Sequence, residues 1–381
     1  MIQSLRPRII QESGTLLRLA RSYNQTDLIF GLWFAAKTWP DWISALEQSL
    51  KDWYDIFMRK GNAMYAVGLK GFPNLRKRLH MLSALDHGMM IELCVMTHDL
   101  TKKKIYLDWS KTLAEDFLTT SEFNLAGFFP FYTPRSFLSR VVKRHPHLSK
   151  REGEFQLVKE NSNILMGLLK LHDHSSGAFK IRVTQAVVRS LNQWRHRFYN
   201  KDLGLFYTNY SNRTYAKGSD LTVFHLIDIL IKAHKKFPEK GYLDWACQLG
   251  NQLLDIQSEK TGLIPFLNPK SPQDIKRFGI DKDQSWLDSQ VDTSVSLMRL
   301  HSATSDSRYS SSSKRIASGI WLYHKKTYGF ASTVDTMNGK VINPRNSTKA
   351  TALVMKCFIA QSKAVLSSQP GSFKYYLLED R

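Results

Sequence analysis

The sequence predicts an all-α fold, an (α/α)6 toroid in which helical hairpins close into a ring with an inner and an outer layer of helices. Two observations predict it: a glycine turn that recurs along the chain, and a regular alternation between two kinds of helix.

The turn is an aromatic or aliphatic residue followed by glycine, apolar residues and a polar loop. It occurs as Tyr65-Ala66-Val67-Gly68-Leu69, Ala126-Gly127-Phe128-Phe129-Pro130, Leu203-Gly204-Leu205-Phe206, Thr261-Gly262-Leu263-Ile264-Pro265 and Tyr328-Gly329-Phe330. The glycines stand 59, 77, 58 and 67 residues apart, a period that implies one supersecondary unit repeated with loops of variable length. Each glycine is expected to be left-handed where a helix ends and the chain turns back, because that conformation is cheap only without a side chain.

Before each glycine lies a helix with a one-sided apolar stripe. In Tyr242 to Ile256 the apolar residues fall at 242, 245, 246, 249, 253 and 256, which is helical spacing. Asp41 to Met58 repeats the pattern with Trp42, Leu46, Leu50 and Trp53, and Tyr106 to Leu118, Thr184 to Phe198 and Tyr309 to Tyr323 are comparable. After each glycine and its loop comes a different kind of helix: Ala84 to Met96, Leu221 to Ile231 and Ala350 to Ala360 are apolar almost all round, and Phe155 to Leu171 and Val291 to Leu300 are similar but more mixed. A helix apolar on every side must be buried on every side, so these are the inner layer and the striped helices shield them.

Five such pairs can be counted, and Ile9 to Trp39 supplies a sixth helix or pair. The chain is expected to be one domain, 1–381, with the hairpins mainly in 40–365 and a C-terminal extension over 366–381. Ser176-Gly177-Ala178-Phe179 follows an inner helix and reads as a loop at the opposite end. The serine-rich stretch Ser302 to Ser313 reads as a loop leading into the fifth outer helix, and Asn268 to Ser285 as a long loop walling a cleft.

Composition sets the outer bounds. A hydrophobic content of 43%, with 21 Phe, 15 Tyr and 9 Trp, supplies a large core and excludes global disorder. Cys94, Cys247 and Cys357 each sit in an apolar run without a metal-spaced partner. They read as buried thiols, in a reducing compartment and with no metal or other cofactor. The early apolar run Leu28 to Ala36 is too short to span a bilayer, and the start lacks the pattern of a secretory signal. The expected location is therefore the cytoplasm, with attachment to a membrane surface as the alternative. The 54 Lys and Arg residues against 33 Asp and Glu give a net charge of +21, a field that favours polyanions: acidic polysaccharide, nucleic acid or anionic lipid. The basic clusters are spread along the chain rather than gathered in one block. No phosphate-cradling loop, dinucleotide fingerprint, zincin helix or nucleophile elbow occurs.

On its glycine turns around Gly204, Gly262 and Gly329, and on the helices around them, the sequence resembles the six-hairpin glycosidase-like superfamily over residues 40–365. Members include inverting glycoside hydrolases, unsaturated glucuronyl hydrolases, polysaccharide lyases, sugar epimerases and proteins of exopolysaccharide assembly. The resemblance implies a carbohydrate-active enzyme working on a polysaccharide or oligosaccharide, acidic in view of the charge, with its cleft where the long loops and the inner-helix starts converge.

Polar residues at those starts are the candidates. Glycoside hydrolysis needs a carboxylic acid for the leaving oxygen and a second carboxylate, so the expected catalytic group is drawn from Glu160, Asp220, Asp288 and Asp292. Expected to bind substrate are Asp86, His87, Asn161, Trp286, Tyr207, Tyr210, Arg345 and Lys349, the aromatic rings as stacking platforms for sugars. Uronate elimination or epimerisation stays open as an alternative, with Arg345 or Lys349 neutralising the carboxylate and His87 or His225 moving the proton. So do a non-catalytic role in polysaccharide assembly and binding of nucleic acid or an anionic membrane. The same residues have structural readings: Ser219, Asp220, Asp288 and Ser289 suit helix N-caps, and His225 with Asp228 suits a buried pair.

Overall fold

Helices dominate the computed structural model, which describes residues 22–59, 62–63, 65–66, 80–119, 127, 132–134, 154–155, 157–207, 210–211, 219, 221–270, 283–345, 354–355, 357–358 and 361. The chain divides into two compact units, Met1–Trp194 and Arg195–Arg381. Among the described residues no helix is long and apolar enough to cross a membrane.

The first unit holds α1 (Ser22–Thr38), α2 (Ile43–Phe57), α3 (Ala84–Thr101), α4 (Lys104–Leu118), α5 (Leu157–His172) and most of α6 (Gly177–Phe198). The stripe predicted for α2 is the one buried: Trp42, Leu46, Leu50 and Trp53 are all sequestered. In α3 every residue from His87 to Thr97 is buried, and in α5 every residue from Asn161 to Leu169 except half-buried Asn163. The two helices cross at glycines. A Cβ on Gly88 would stand 2.4 Å from the backbone nitrogen of Ile164, and one on Gly167 would stand 2.6 Å from the carbonyl oxygen of Gly88. No side chain fits that crossing.

The second unit holds α7 (Val223–Lys236), α8 (Tyr242–Asp255), α9 (Leu287–Thr304) and α10 (Ser307–Gly319), the last running into a π-turn at Ile320–His324. In α7 the buried residues are Val223, Phe224, Leu226, Ile227, Ile229, Leu230, Ile231 and Ala233, whereas α8 buries one side only, from Tyr242 to Leu253. The alternation of enclosed and one-sided helices is thus present in both units. The segment 350–360 departs from the expectation. At its described positions Val354 and Cys357 are buried but Met355 is 61% exposed, so it buries one side there.

Two loop assignments are corrected. Gly177 to Phe179 form the first turn of α6, and the serine-rich stretch is helical except at the turn Ser305–Asp306. Polarity misleads there, because the serines serve as small residues. Ser294 and Ser313 lie buried with their hydroxyls 2.8 Å apart, and Ser313 also donates to the Ser294 carbonyl, letting α9 and α10 approach closely.

Of the five repeat glycines, Gly68 lies outside the described residues. The other four, Gly127, Gly204, Gly262 and Gly329, all have positive φ, between 61° and 78°. They do not all cap a helix directly. Gly204 turns a two-residue β-hairpin, Tyr199–Asn200 with Leu205–Phe206, whose tip is held by Asn200 Oδ1 accepting from the backbone of Asp202 and Leu203. Gly262 is doubly constrained, since a Cβ there would also meet the Arg315 carbonyl oxygen at 2.6 Å. The opposite ends follow their own rule. One left-handed residue marks each of these ends: Lys102 between α3 and α4, Gly241 between α7 and α8, Ser305 between α9 and α10, and Gly177 as the first residue of α6.

Short antiparallel sheets, too brief to show a strand period, lie at the loop ends. One in the second unit joins Gln284–Trp286, Thr333–Asp335 and Val341–Asn343.

Candidate functional site

The best-described candidate site is built over the starts of α7 and α9. The strand Gln284–Trp286 runs straight into α9, and Trp286 is the residue at its N-cap, with no side-chain cap bond. A backbone carbonyl does that work instead: Ser332 O accepts from Leu287 N at 2.9 Å. Ser332 N in turn donates to Asn343 O at 3.1 Å and Arg345 O at 3.0 Å. At the start of α7, Leu221 N donates to Phe266 O, Asn268 N to Ser219 O, and Phe266 N to Gln284 O. One hydrogen-bonded layer therefore stitches Ser219, Phe266, Trp286, Ser332 and Arg345 across both helix starts. Gln290 anchors it from below. Its buried amide accepts from Ile264 N at 3.0 Å and donates to Ile264 O at 2.5 Å.

On this layer Trp286 stacks on Phe266, with centroids 4.4 Å apart and planes 14° from parallel. Both rings are half-buried. They form an aromatic ledge of the kind a sugar ring covers with its apolar face. Asp288, exposed in the first turn of α9, accepts from Ser289 N at 2.8 Å. Asp292, one turn on, is half-buried, and an i, i+4 pair shares a helix face. The layer thus brings together Trp286, Asp288 and Arg345 of the expected residues, and adds Phe266. Phe266 went unnoticed although it directly follows the glycine turn at Gly262.

The remaining candidates fall as follows. Tyr207 is half-buried and its hydroxyl accepts from Asn200 Nδ2 at 2.5 Å, beside the Gly204 hairpin. Tyr210 lies in the short strand Tyr210–Ser211, with its side chain outside the described residues. Asp220 and Lys349 also lie outside them. In the first unit Asp86 and Glu160 belong to α3 and α5, but their side chains are likewise outside. Asn161 is fully buried at the start of α5. Because Gly88 abuts Asn163 and Ile164, the helix starts carrying Asp86–His87 and Glu160–Asn161 lie side by side. His87 is fully buried, edge-on to Trp53 at 5.5 Å and tilted against Phe117 at 5.9 Å. Asp228, on the same helix as His225, has partners on α9. It accepts from Ser296 Oγ at 2.8 Å and pairs with Arg299 of α9.

One buried titratable pair lies under the ledge. His324 donates from Nδ1 to the Ala331 carbonyl at 2.8 Å, which leaves Nε2 to accept from Ser285 Oγ at 3.3 Å. Burial, opposed by that carbonyl, pushes the His324 pKa down to about 4, so the ring is neutral. Ser285 and His324 are both wholly enclosed, and the pair fixes the strand Gln284–Trp286 rather than meeting a ligand.

No protein-family model matches the sequence, and no curated protein matches it. Solved structures do match. A D-mannose isomerase superposes with a TM-score of 0.63 at 12% identity, over 90% of this chain and 87% of that one. A cellobiose 2-epimerase from Bacillus thermoamylovorans B4167 gives 0.61 at 12% identity, over 87% and 84%. An unsaturated glucuronyl hydrolase from Bacillus sp. GL1, responsible for the degradation of glycosaminoglycan, gives 0.57 at 12% identity, over 90% and 85%. These neighbours are carbohydrate-active enzymes. The chain therefore has the six-hairpin glycosidase-like fold, an (α/α)6 toroid.

Proposed function

We propose that this chain is a carbohydrate-active enzyme that binds an acidic polysaccharide or oligosaccharide over the starts of α7 and α9 and cleaves it by glycoside hydrolysis. The observation that carries this reading is the stacked Trp286–Phe266 ledge next to Asp288, which is exposed in the first turn of a largely buried helix. A pyranose on the ledge would present its glycosidic oxygen to carboxylates of the α9 face. Hydrolysis asks for an acid to protonate that oxygen and for a base or nucleophile at the anomeric carbon. Asp288 and Asp292 are the carboxylates assigned to those roles. Arg345, tied to the same layer, and the net charge of +21 favour an acidic chain.

Epimerisation is the second reading, favoured by a specific residue. His225, half-buried in the first turn of α7 with its ring 4.1 Å from that of Phe224, would be the residue that moves a proton next to a carbonyl or carboxylate.

Both readings are tested by incubating the protein with acidic and neutral oligosaccharides. Hydrolysis releases new reducing ends, whereas epimerisation exchanges a carbon-bound proton with deuterated solvent and breaks no chain. Asp288→Asn and Asp292→Asn should each lower hydrolytic turnover by roughly 100-fold or more where the carboxylate transfers a proton. Turnover unchanged in both folded variants, or no turnover of any glycan, would overturn the hydrolytic assignment. Exchange that depends on His225 would replace it.

A further inference from the structure

We infer that His98, Asp99 and His174 form a binding site for a divalent transition metal of the zinc type, at the hairpin turns of the first unit. His98 and Asp99 lie in the last turn of α3, and His174 lies in the connection between α5 and α6. The ligand atoms of the three side chains all lie within 4.8 Å of one another. His174 Nε2 is already 3.0 Å from Asp99 Oδ1, and the rings of His98 and His174 meet edge to face at 5.5 Å. Zinc bonds to imidazole nitrogen and carboxylate oxygen are about 2.0–2.2 Å long, so tetrahedral donors sit about 3.3 Å apart. Small side-chain rotations close the remaining gap.

Two further features point to a ligand rather than a plain ion pair. His98 Nδ1 lies 3.1 Å from the Lys103 carbonyl oxygen, which must be receiving its proton. That bond fixes the tautomer and leaves Nε2 as the coordinating nitrogen, the arrangement in which metal-bound histidines are held. The surrounding charge is also partly answered: Lys103 pairs with Glu47 at 2.7 Å, while Lys102 and Lys104 are exposed. The equivalent turn between α9 and α10 shows what is added. There His301 Nδ1 makes the same contact with the Asp306 carbonyl at 2.9 Å. Among the described residues, three such ligand-type side chains gather only here, two from the end of α3 and one from the α5–α6 connection. Two imidazoles with one carboxylate select zinc, nickel or copper over magnesium or calcium, and leave a fourth position for water. A bound ion would clip the α3–α4 turn to the α5–α6 turn.

The test uses the full chain, stripped with a chelator and titrated with zinc chloride by calorimetry, with cobalt absorption reporting the ligand field. One zinc per chain should bind, and His98→Ala and His174→Ala should each weaken it by at least about tenfold. Melting in chelator shows that both variants remain folded. If His98→Ala proves unstable, Asp99→Asn supplies the second test and should also weaken binding. Wild-type protein that takes up no zinc at micromolar metal overturns the site. So does zinc binding of undiminished affinity in His98→Ala and His174→Ala, which would locate the ion on other residues.

Discussion

Lys102 and Ser305 hold left-handed backbone, at φ 60° and 62°, in turns where the two other hairpins use glycine. A side chain in that conformation costs about 1–2 kcal/mol, partly offset because glycine loses about 0.5–1 kcal/mol more chain entropy on folding. Lys102→Gly and Ser305→Gly should therefore each raise stability by about 0.5 kcal/mol, read as a higher urea midpoint; a lower midpoint would contradict the turn geometry. His324 makes a second residue-scale prediction. Its pKa falls from 6.5 to about 4 on folding, so the unfolded chain binds the proton first. The stabilisation from keeping the ring neutral is complete above pH 6.5 and drains away as pH drops towards 4. Up to roughly 3 kcal/mol is lost across that window. Urea midpoints of wild type should fall steeply between these pH values, and His324→Gln should flatten the fall. Parallel curves would remove His324 as the cause.

At the scale of elements, the crossing of α3 and α5 depends on Gly88 and Gly167 standing against backbone. Backbone cannot swing aside as a flexible side chain can, so Gly88→Ala should cost at least about 2 kcal/mol despite alanine's better helix propensity. Stability unchanged or raised in Gly88→Ala would show that the helices do not meet there. This scale was also the most legible in the sequence. The stripe Trp42, Leu46, Leu50, Trp53 and the enclosed run of α7 follow from hydrophobic spacing alone, because burial on one side or on all sides leaves different periodicities. Repeat glycines were legible because backbone sterics leave few alternatives. What failed to show had no local signal. The serines of α10 are polar by composition but chosen for size, and two- or three-residue strands have no period to read. His87 looks like a site residue in an apolar run, yet only coordinates reveal Trp53 and Phe117 around it.

At the scale of the whole molecule, the fold was legible and the chemistry far less so. The (α/α)6 toroid follows from the alternation of helix types, and the structural neighbours share it. The site depends on chain segments remote in sequence. Phe266, Trp286, Ser332 and Arg345 meet through backbone hydrogen bonds that no spacing encodes, and His98 with His174 meets across two turns. The aromatic ledge at the start of α9 is where the account of function is most exposed to test. Saturation-transfer NMR of acidic and neutral oligosaccharides should show sugar protons in contact with the wild-type protein, and Trp286→Ala should abolish that transfer while leaving the helical circular dichroism intact. Transfer of equal strength in Trp286→Ala, or none from any glycan to wild type, would contradict it.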